Sequence, residues 1–198
     1  MASQVEIANL ALSSLGASEI SSLTEATKEA EYVSTFWDQA LREVLQDHTW
    51  DFAKKWASLA EDSSYTMVDD EWDYAYQIPT DFIRPVRDDE GNNWERRGEH
   101  ILTNASPFNM EYIQDMNDES KYPTYFIVAL YSRLRAFLSI PLKKKGTMVS
   151  GNKYTWYEVY ELIDLPRARI KEAPESNKTA ESKVKHTKDT DSWVVAGS

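Results

Sequence analysis

TEATKEAEYVSTFWDQALREVLQDHTWDFA, residues 24–53, is the stretch on which the architecture turns. Ala26, Ala30, Val33, Trp37, Ala40, Leu41, Val44 and Leu45 recur at three- and four-residue steps, the spacing that lays side chains along one stripe of an α-helix. Thr24 or Ser22 can cap its start, and Ser22 and Glu25 have the spacing of a capping box. A helix of about 24 residues would reach about 36 Å at 1.5 Å per residue, enough to cross a small domain. It stops at His48-Thr49, where His48 reads as a partner for the C-terminal end of the helix dipole. Trp50, Phe52 and Trp56 follow at even spacings. The period changes there from 3.6 to 2, which predicts a strand leaving the helix end with its aromatic row packed against the helix.

Working outward toward the amino terminus, residues 3–16 predict a short helix. Ser3 and Glu6 form its capping box and Gly16 its left-handed stop. The short link that follows predicts that this helix and the long one pack as neighbours. Downstream, residues 50–115 alternate and break at turn residues, which predicts a small antiparallel sheet. Its strands include Tyr74–Ile78, a Phe82–Val86 segment broken by Pro85, His100–Thr103 and Met110–Ile113. Pro123 opens a third helix that Pro141 ends. Residues 143–151 read as a connector. A fourth helix spans about Asn152 to Ala173, with Leu162 on its inward face and a kink at Pro166. The predicted fold class is therefore α+β. A bundle of about four helices (1–49 and 122–173) carries an inserted β-rich subdomain (50–121) and an extended C-terminal tail (174–198). Within that tail, residues 175–188 hold one apolar side chain, Val184, too few for a core. Trp193, Val194 and Val195 make an apolar tip that needs a partner to bury it.

The composition excludes several chemistries. No cysteine is present, so disulfides and thiolate metal sites are ruled out. A net charge of −11 argues against gripping nucleic acid or an anionic membrane. No apolar run reaches membrane-spanning length, and the first residues lack the basic region of a signal peptide, so synthesis and folding in a cytosol are expected. The three histidines, His48, His100 and His186, never pair at metal-ligand spacing. No nucleotide-binding glycine loop or nucleophile elbow occurs. Two acidic runs remain, Asp69-Asp70-Glu71 with Asp73, and Asp88-Asp89-Glu90. Paired carboxylates could bind Mg²⁺ or cleave glycosides, but beside turn residues they read as solvated loop tips. Lys143–Lys145 reads as a solvated loop near a helix end. The expectation is a protein with no catalytic residues, no cofactor and no metal.

The order of these segments resembles a known family. IANLALSSLGASEISSLTE (7–25) is followed by WDQALREVLQDHTWDFAKK (37–55), YAYQIPTDFIRPVR (74–87), ERRGEHILTN (95–104) and YPTYFIVALYSRLRAFLSIPL (122–142). The pattern is similar to the head-to-tail adaptor (connector) proteins of short-tailed bacteriophages, the tail tubular protein A-like family, over roughly residues 1–170. The HTWDFA joint and the YAYxIPxDFIRP stretch are its specific parts. The resemblance implies a structural virion protein at the head–tail junction, made in the host cytoplasm. Its copies would form a dodecameric ring under the portal protein, extend the DNA channel and receive the tail nozzle protein. Double-stranded DNA would pass without specific binding, and no membrane is involved. In that setting the acidic loop from Glu61 to Asp73, with Asp69, Asp70, Glu71 and Asp73 foremost, is expected to line the channel. Trp193, Val194 and Val195 are expected to contact the portal. Two rival classes are a carboxylate hydrolase using the acidic loops and a monomeric acidic binding module. Turnover lost with those carboxylates would mark the first, and a single tight basic partner the second.

Overall fold

The computed structural model describes residues 2–68, 70–144, 146–149 and 152–172. Among the described residues the chain is an α+β protein: two α-helices precede the two main sheets, and the remaining α-helices follow them with a small hairpin between. Helix α1 (Gln4–Ser14) carries the expected capping box: the Ser3 hydroxyl accepts from the Glu6 N–H, and the Glu6 carboxylate accepts from the Ser3 N–H at 2.7 Å. Gly16 follows at φ +63°, as its stop requires.

Helix α2 (Lys28–Asp47) is shorter than the sequence predicts. Its cap is Thr27, whose hydroxyl accepts from the Ala30 N–H, rather than Ser22 or Thr24. Glu25 does not close a box with Ser22. It accepts from the Ser21 N–H and hydroxyl and from the Thr27 hydroxyl, and these bonds, the Ser21 hydroxyl foremost, lower its carboxyl to about 2. Residues 21–27 are thus a hydroxyl-rich turn that competes with the helix for its own backbone. Seven of the eight residues of the predicted stripe, Ala30, Val33, Trp37, Ala40, Leu41, Val44 and Leu45, are buried. The eighth, Ala26, is exposed, because it precedes the Thr27 cap and lies outside the helix.

Helix α3 (Thr124–Ser139) is buried on nearly every side, the mark of a central helix. Both α1 and α2 pack chiefly on it, not on each other as the short link suggested. The physical reason is the late start of α2. Residues 15–27 make a long connector, which the Asn9 side chain clamps through the Ile20 N–H and carbonyl, both at 2.9 Å.

After α2 the chain makes a 3₁₀ turn, Asp51–Ala53, before β1 (Lys54–Ser58). The alternation at Trp50 and Phe52 is therefore a turn and not a strand. Trp50 is fully buried, stacked on Tyr125 and edge-on to Phe126, and Phe52 also meets Phe126. Trp56 departs from the expected row: it is 46% exposed, with the Arg87 guanidinium over its ring. The extra turn puts it out of phase with the two aromatics before it.

Two three-stranded antiparallel sheets follow rather than one. In the first, β6 (Asn109–Gln114) lies between β1 and β3 (Phe82–Asp88), with Trp56 opposite Glu111 and Pro85 opposite Tyr112. β3 runs through Pro85 instead of breaking there, because register shifts on both sides of that residue absorb the missing donor. In the second, β5 (His100–Thr103) lies between β2 (Tyr74–Gln77) and β4 (Trp94–Arg97). Leu59, Tyr76, Ile101, Phe108 and Met110 form a separate small core for this part of the chain.

The connector after α3 holds a hairpin, β7 (Thr147–Val149) with β8 (Asn152–Tyr154), so the last helix starts later than the predicted Asn152. A Cβ on Gly146 would lie 2.1 Å from the Tyr154 carbonyl oxygen, at a backbone φ of +122° that favours glycine. Gly146→Ala is expected to open this hairpin and to lower the unfolding free energy by about 1–3 kcal/mol. Urea unfolding checks it, and an unchanged midpoint would contradict the placement.

The last helix comprises α4 (Trp156–Val159), a π-type turn (Tyr160–Asp164) and α5 (Leu165–Glu172). The Leu165 N–H reaches the Tyr160 carbonyl, the wide loop by which the helix carries Pro166 without breaking. That turn also shifts the phase, so Leu162, expected inward, is 64% exposed while Leu165 and Ala168 are buried. α5 then clasps the end of α2. The Arg169 guanidinium donates to the Asp47 carbonyl, and the Tyr160 hydroxyl donates to the Asp47 carboxylate at 2.5 Å. Glu172 accepts from the Asp51 N–H at 2.6 Å and pairs with His48 at 2.5 Å. Burial, with Asp47 as acceptor, pushes the Tyr160 hydroxyl far above the usual tyrosine range. His48 thus faces a carboxylate from the far end of the fold, beyond its expected role at the helix dipole. The tail tip Trp193, Val194 and Val195 lies outside the described residues.

Candidate functional site

The acidic loop from Glu61 to Asp73 is built onto the second sheet. Its first residues extend that sheet: the Asp62 N–H donates to the Ala75 carbonyl at 2.8 Å, and the Gln77 N–H to the Ala60 carbonyl at 2.9 Å. Asp62 is the anchor of the loop. Its carboxylate accepts from the Ser64 hydroxyl at 2.6 Å, from the Ser64 N–H at 3.0 Å, and contacts His100 Nε2 at 2.9 Å. These bonds, the Ser64 hydroxyl foremost and His100 next, hold the Asp62 carboxyl far below the usual carboxylate range.

A depressed folded value means that the contribution of Asp62 is fully present above the unfolded value of about 3.9 and is lost as pH falls through the folded one. The unfolding midpoint of the protein is therefore expected to drop between about pH 5 and pH 2, and to drop less in Asp62→Asn, which has no proton to take up. Thermal melts of both proteins across that window check it, and parallel pH profiles would refute it.

Of the four carboxylates foreseen for a channel wall, Asp69 lies outside the described residues. Asp70, Glu71 and Asp73 are exposed. The backbone beneath them is stitched down by Asn104, which donates from Nδ2 to the Glu71 carbonyl and accepts the Asp73 N–H at 2.8 Å. Glu71 stands 3.9 Å from Arg97, a residue that also pairs with Glu95. Glu71, Trp72, Asn92, Asn93 and Asn104 border a polar hollow of about 320 Å³. The second acidic run is used locally. Asp88 accepts from the Asn92 N–H and side chain, and Asp89 from Asn109.

The described carboxylates Asp70, Glu71 and Asp73 present exposed surface charge. Among the described residues no three of His, Asp and Glu converge to hold a metal ion. His100 has Asp62 beside it and the Tyr65 ring 4.6 Å away. Two arginines of the helical part have structural partners: the buried Arg135 is paired with Asp164 at 2.6 Å and stacked 4.3 Å over Trp156, and the half-buried Arg133 reaches Glu43 and Glu161. No helix among the described residues is long and apolar enough to cross a membrane.

Sequence reasoning missed the apolar surface of the helical part. Leu162 and Ile170, two turns apart on the last helix, are 64% and 71% exposed, and Leu10 on α1 is 48% exposed. Helical period alone assigns Leu162 to the core. Only the wide turn before Pro166 turns it out, and that proline was the one available signal. Lys143 and Lys144 lie where the sequence placed them, after α3, and border an apolar cleft with Trp156 and Tyr157. Lys145 lies outside the described residues.

No protein-family profile matches the chain, and no curated protein matches it in sequence.

Proposed function

We propose that the chain is a head-to-tail adaptor of a short-tailed bacteriophage virion, a structural protein without enzymatic activity. The observation that carries this reading is the order of the fold. A helical bundle is entered through α1 and α2, interrupted at the Trp50 joint by antiparallel sheets, and resumed with α3 and the last helix. That is the arrangement implied by the resemblance of residues 1–170 to the adaptor family. Copies form a dodecameric ring that docks on the portal, continues the DNA channel and receives the nozzle. Exposed Leu162 and Ile170 support it, since apolar side chains grouped on one helix suit an interface between copies. The charge of −11 supports it too. An acidic wall carrying Asp69, Asp70, Glu71 and Asp73 repels the phosphate backbone, so DNA slides instead of being held. Trp193, Val194 and Val195 are assigned to the portal contact.

Mass measurement of the purified protein alone and mixed with portal tests the assembly. The expected product is a portal complex bearing twelve copies. Electron microscopy of virions then shows a closed ring between portal and nozzle. A virion lacking this protein that still retains DNA and a complete tail overturns the proposal.

A further inference from the structure

An apolar cleft of about 480 Å³ opens where the end of α3 meets the start of α4. Ile140, Trp156 and Tyr157 line it, and Lys143 and Lys144 stand on its rim. Ile140 is 67% exposed, far more than an isoleucine flanking a core helix needs to be, and the Arg135 guanidinium holds the Trp156 ring in place. The volume falls within the range of about 300–1,000 Å³ that encloses compact ligands, and it is wide enough for an indole with an aliphatic neighbour. The rim is cationic in a chain whose net charge is −11. An occupant that suits it joins a large apolar side chain to nearby acidic groups.

The chain itself contains that combination. Asp189 and Asp191 immediately precede Trp193, Val194 and Val195, the only run of three apolar side chains after Pro174 that begins with an aromatic. We propose that the segment Asp189–Val195 occupies this cleft of its own subunit, with Trp193 in the apolar floor and the two aspartates against Lys143 and Lys144. Reach favours the subunit's own cleft over a neighbour's. The last helix leads from the cleft at Trp156 to Glu172, about 25 Å at 1.5 Å per residue. Residues 173–192 are the link back, and a random coil of that length has a root-mean-square span of about 25 Å. Local concentration is highest when link and span match. The starting point is fixed, because Glu172 is held by His48 and the Asp51 N–H. Seated in this way, the tip stays covered in the free subunit until a partner draws it out. The inference concerns the isolated protein and does not depend on the ring reading.

The absence of cysteine lets engineered pairs report proximity without background. Full-length protein carrying Ile140→Cys and Val194→Cys, held dilute under mild oxidation, is expected to form an intrachain disulfide at least ten-fold faster than protein carrying Leu10→Cys and Val194→Cys. Adding Trp193→Ala is expected to erase the difference. Equal rates for the two pairs overturn the proposal, as does a disulfide found mainly between chains, which would assign the cleft to a second copy. Hydrogen exchange on the unmodified protein gives an independent reading. The amides of residues 190–196 are expected to exchange at least ten-fold slower than a random coil, and to speed up in Lys143→Glu/Lys144→Glu. Random-coil exchange in the unmodified protein overturns the proposal.

Discussion

Replacing Trp50 with alanine is expected to lower the unfolding free energy by about 3–5 kcal/mol, at least about a fifth of the 5–15 kcal/mol typical of a domain. The side chain has no solvent exposure. Its ring stacks 6.0 Å from Tyr125, meets Phe126 edge-on at 5.2 Å and His48 edge-on at 4.8 Å. Its indole N–H donates to the Val44 carbonyl at 2.6 Å. That carbonyl belongs to the last turn of α2, where backbone acceptors lack helical partners. Truncation thus opens a cavity between α2 and α3 and strips a cap from α2 at once. Trp50→Phe keeps most of the apolar volume but not the donor, so it should lose clearly less than the alanine variant. Urea unfolding with linear extrapolation measures both. A loss below about 1 kcal/mol for the alanine variant would mean that the tryptophan is not the pin of this joint.

On the proposed adaptor reading, the double variant Leu162→Glu/Ile170→Glu is expected to abolish ring formation on the portal while leaving the fold intact. Both residues are already solvated in the single subunit, so the change in unfolding free energy should stay within about 0.5 kcal/mol. At a contact between copies each would instead bury an aliphatic side chain worth about 1.5–3 kcal/mol. A carboxylate in that place adds the penalty of an unpaired charge removed from water. Because every subunit of a closed ring carries the same surface, the defect recurs at every contact. Sedimentation with purified portal checks it. Rings that assemble normally would move the interface away from the last helix.

Much of this fold is legible because its rules are local. The Ser3–Glu6 box, the stop at Gly16, the stripe of α2, the limits of β5 and the opening of α3 at Pro123 each follow from residues within one turn of each other. The start of α2 misleads for the same reason. Ser22, Thr24, Thr27 and Glu25 offer several competing caps, and spacing alone does not rank them. What spacing cannot carry is a partner from far along the chain. Nothing in the last turn of α2 is basic, yet Arg169 neutralises its end from 122 residues away. The candidate loop divides in the same manner. Asp70, Glu71 and Asp73 read as a solvated tip and are exposed, whereas the anchorage of the loop through Asp62 to His100 and through the backbone to Asn104 depends on residues 30 or more positions distant.

The clasp at the end of α2 also sets a timetable. Asp51 and the Glu172 carboxylate that receives its N–H are separated by 121 positions. At about 5–20 residues per second, a ribosome needs roughly 6–24 s to deliver the second after the first. Throughout that interval the nascent α2 ends in an Asp47 carbonyl without Arg169 and an Asp51 N–H without Glu172. The joint between bundle and sheets therefore matures late in translation, although its tryptophan is made early. A stall upstream of residue 160 leaves a chain whose sheets can form while the hinge to the helices stays unlatched, and that species is the one a chaperone or protease would meet.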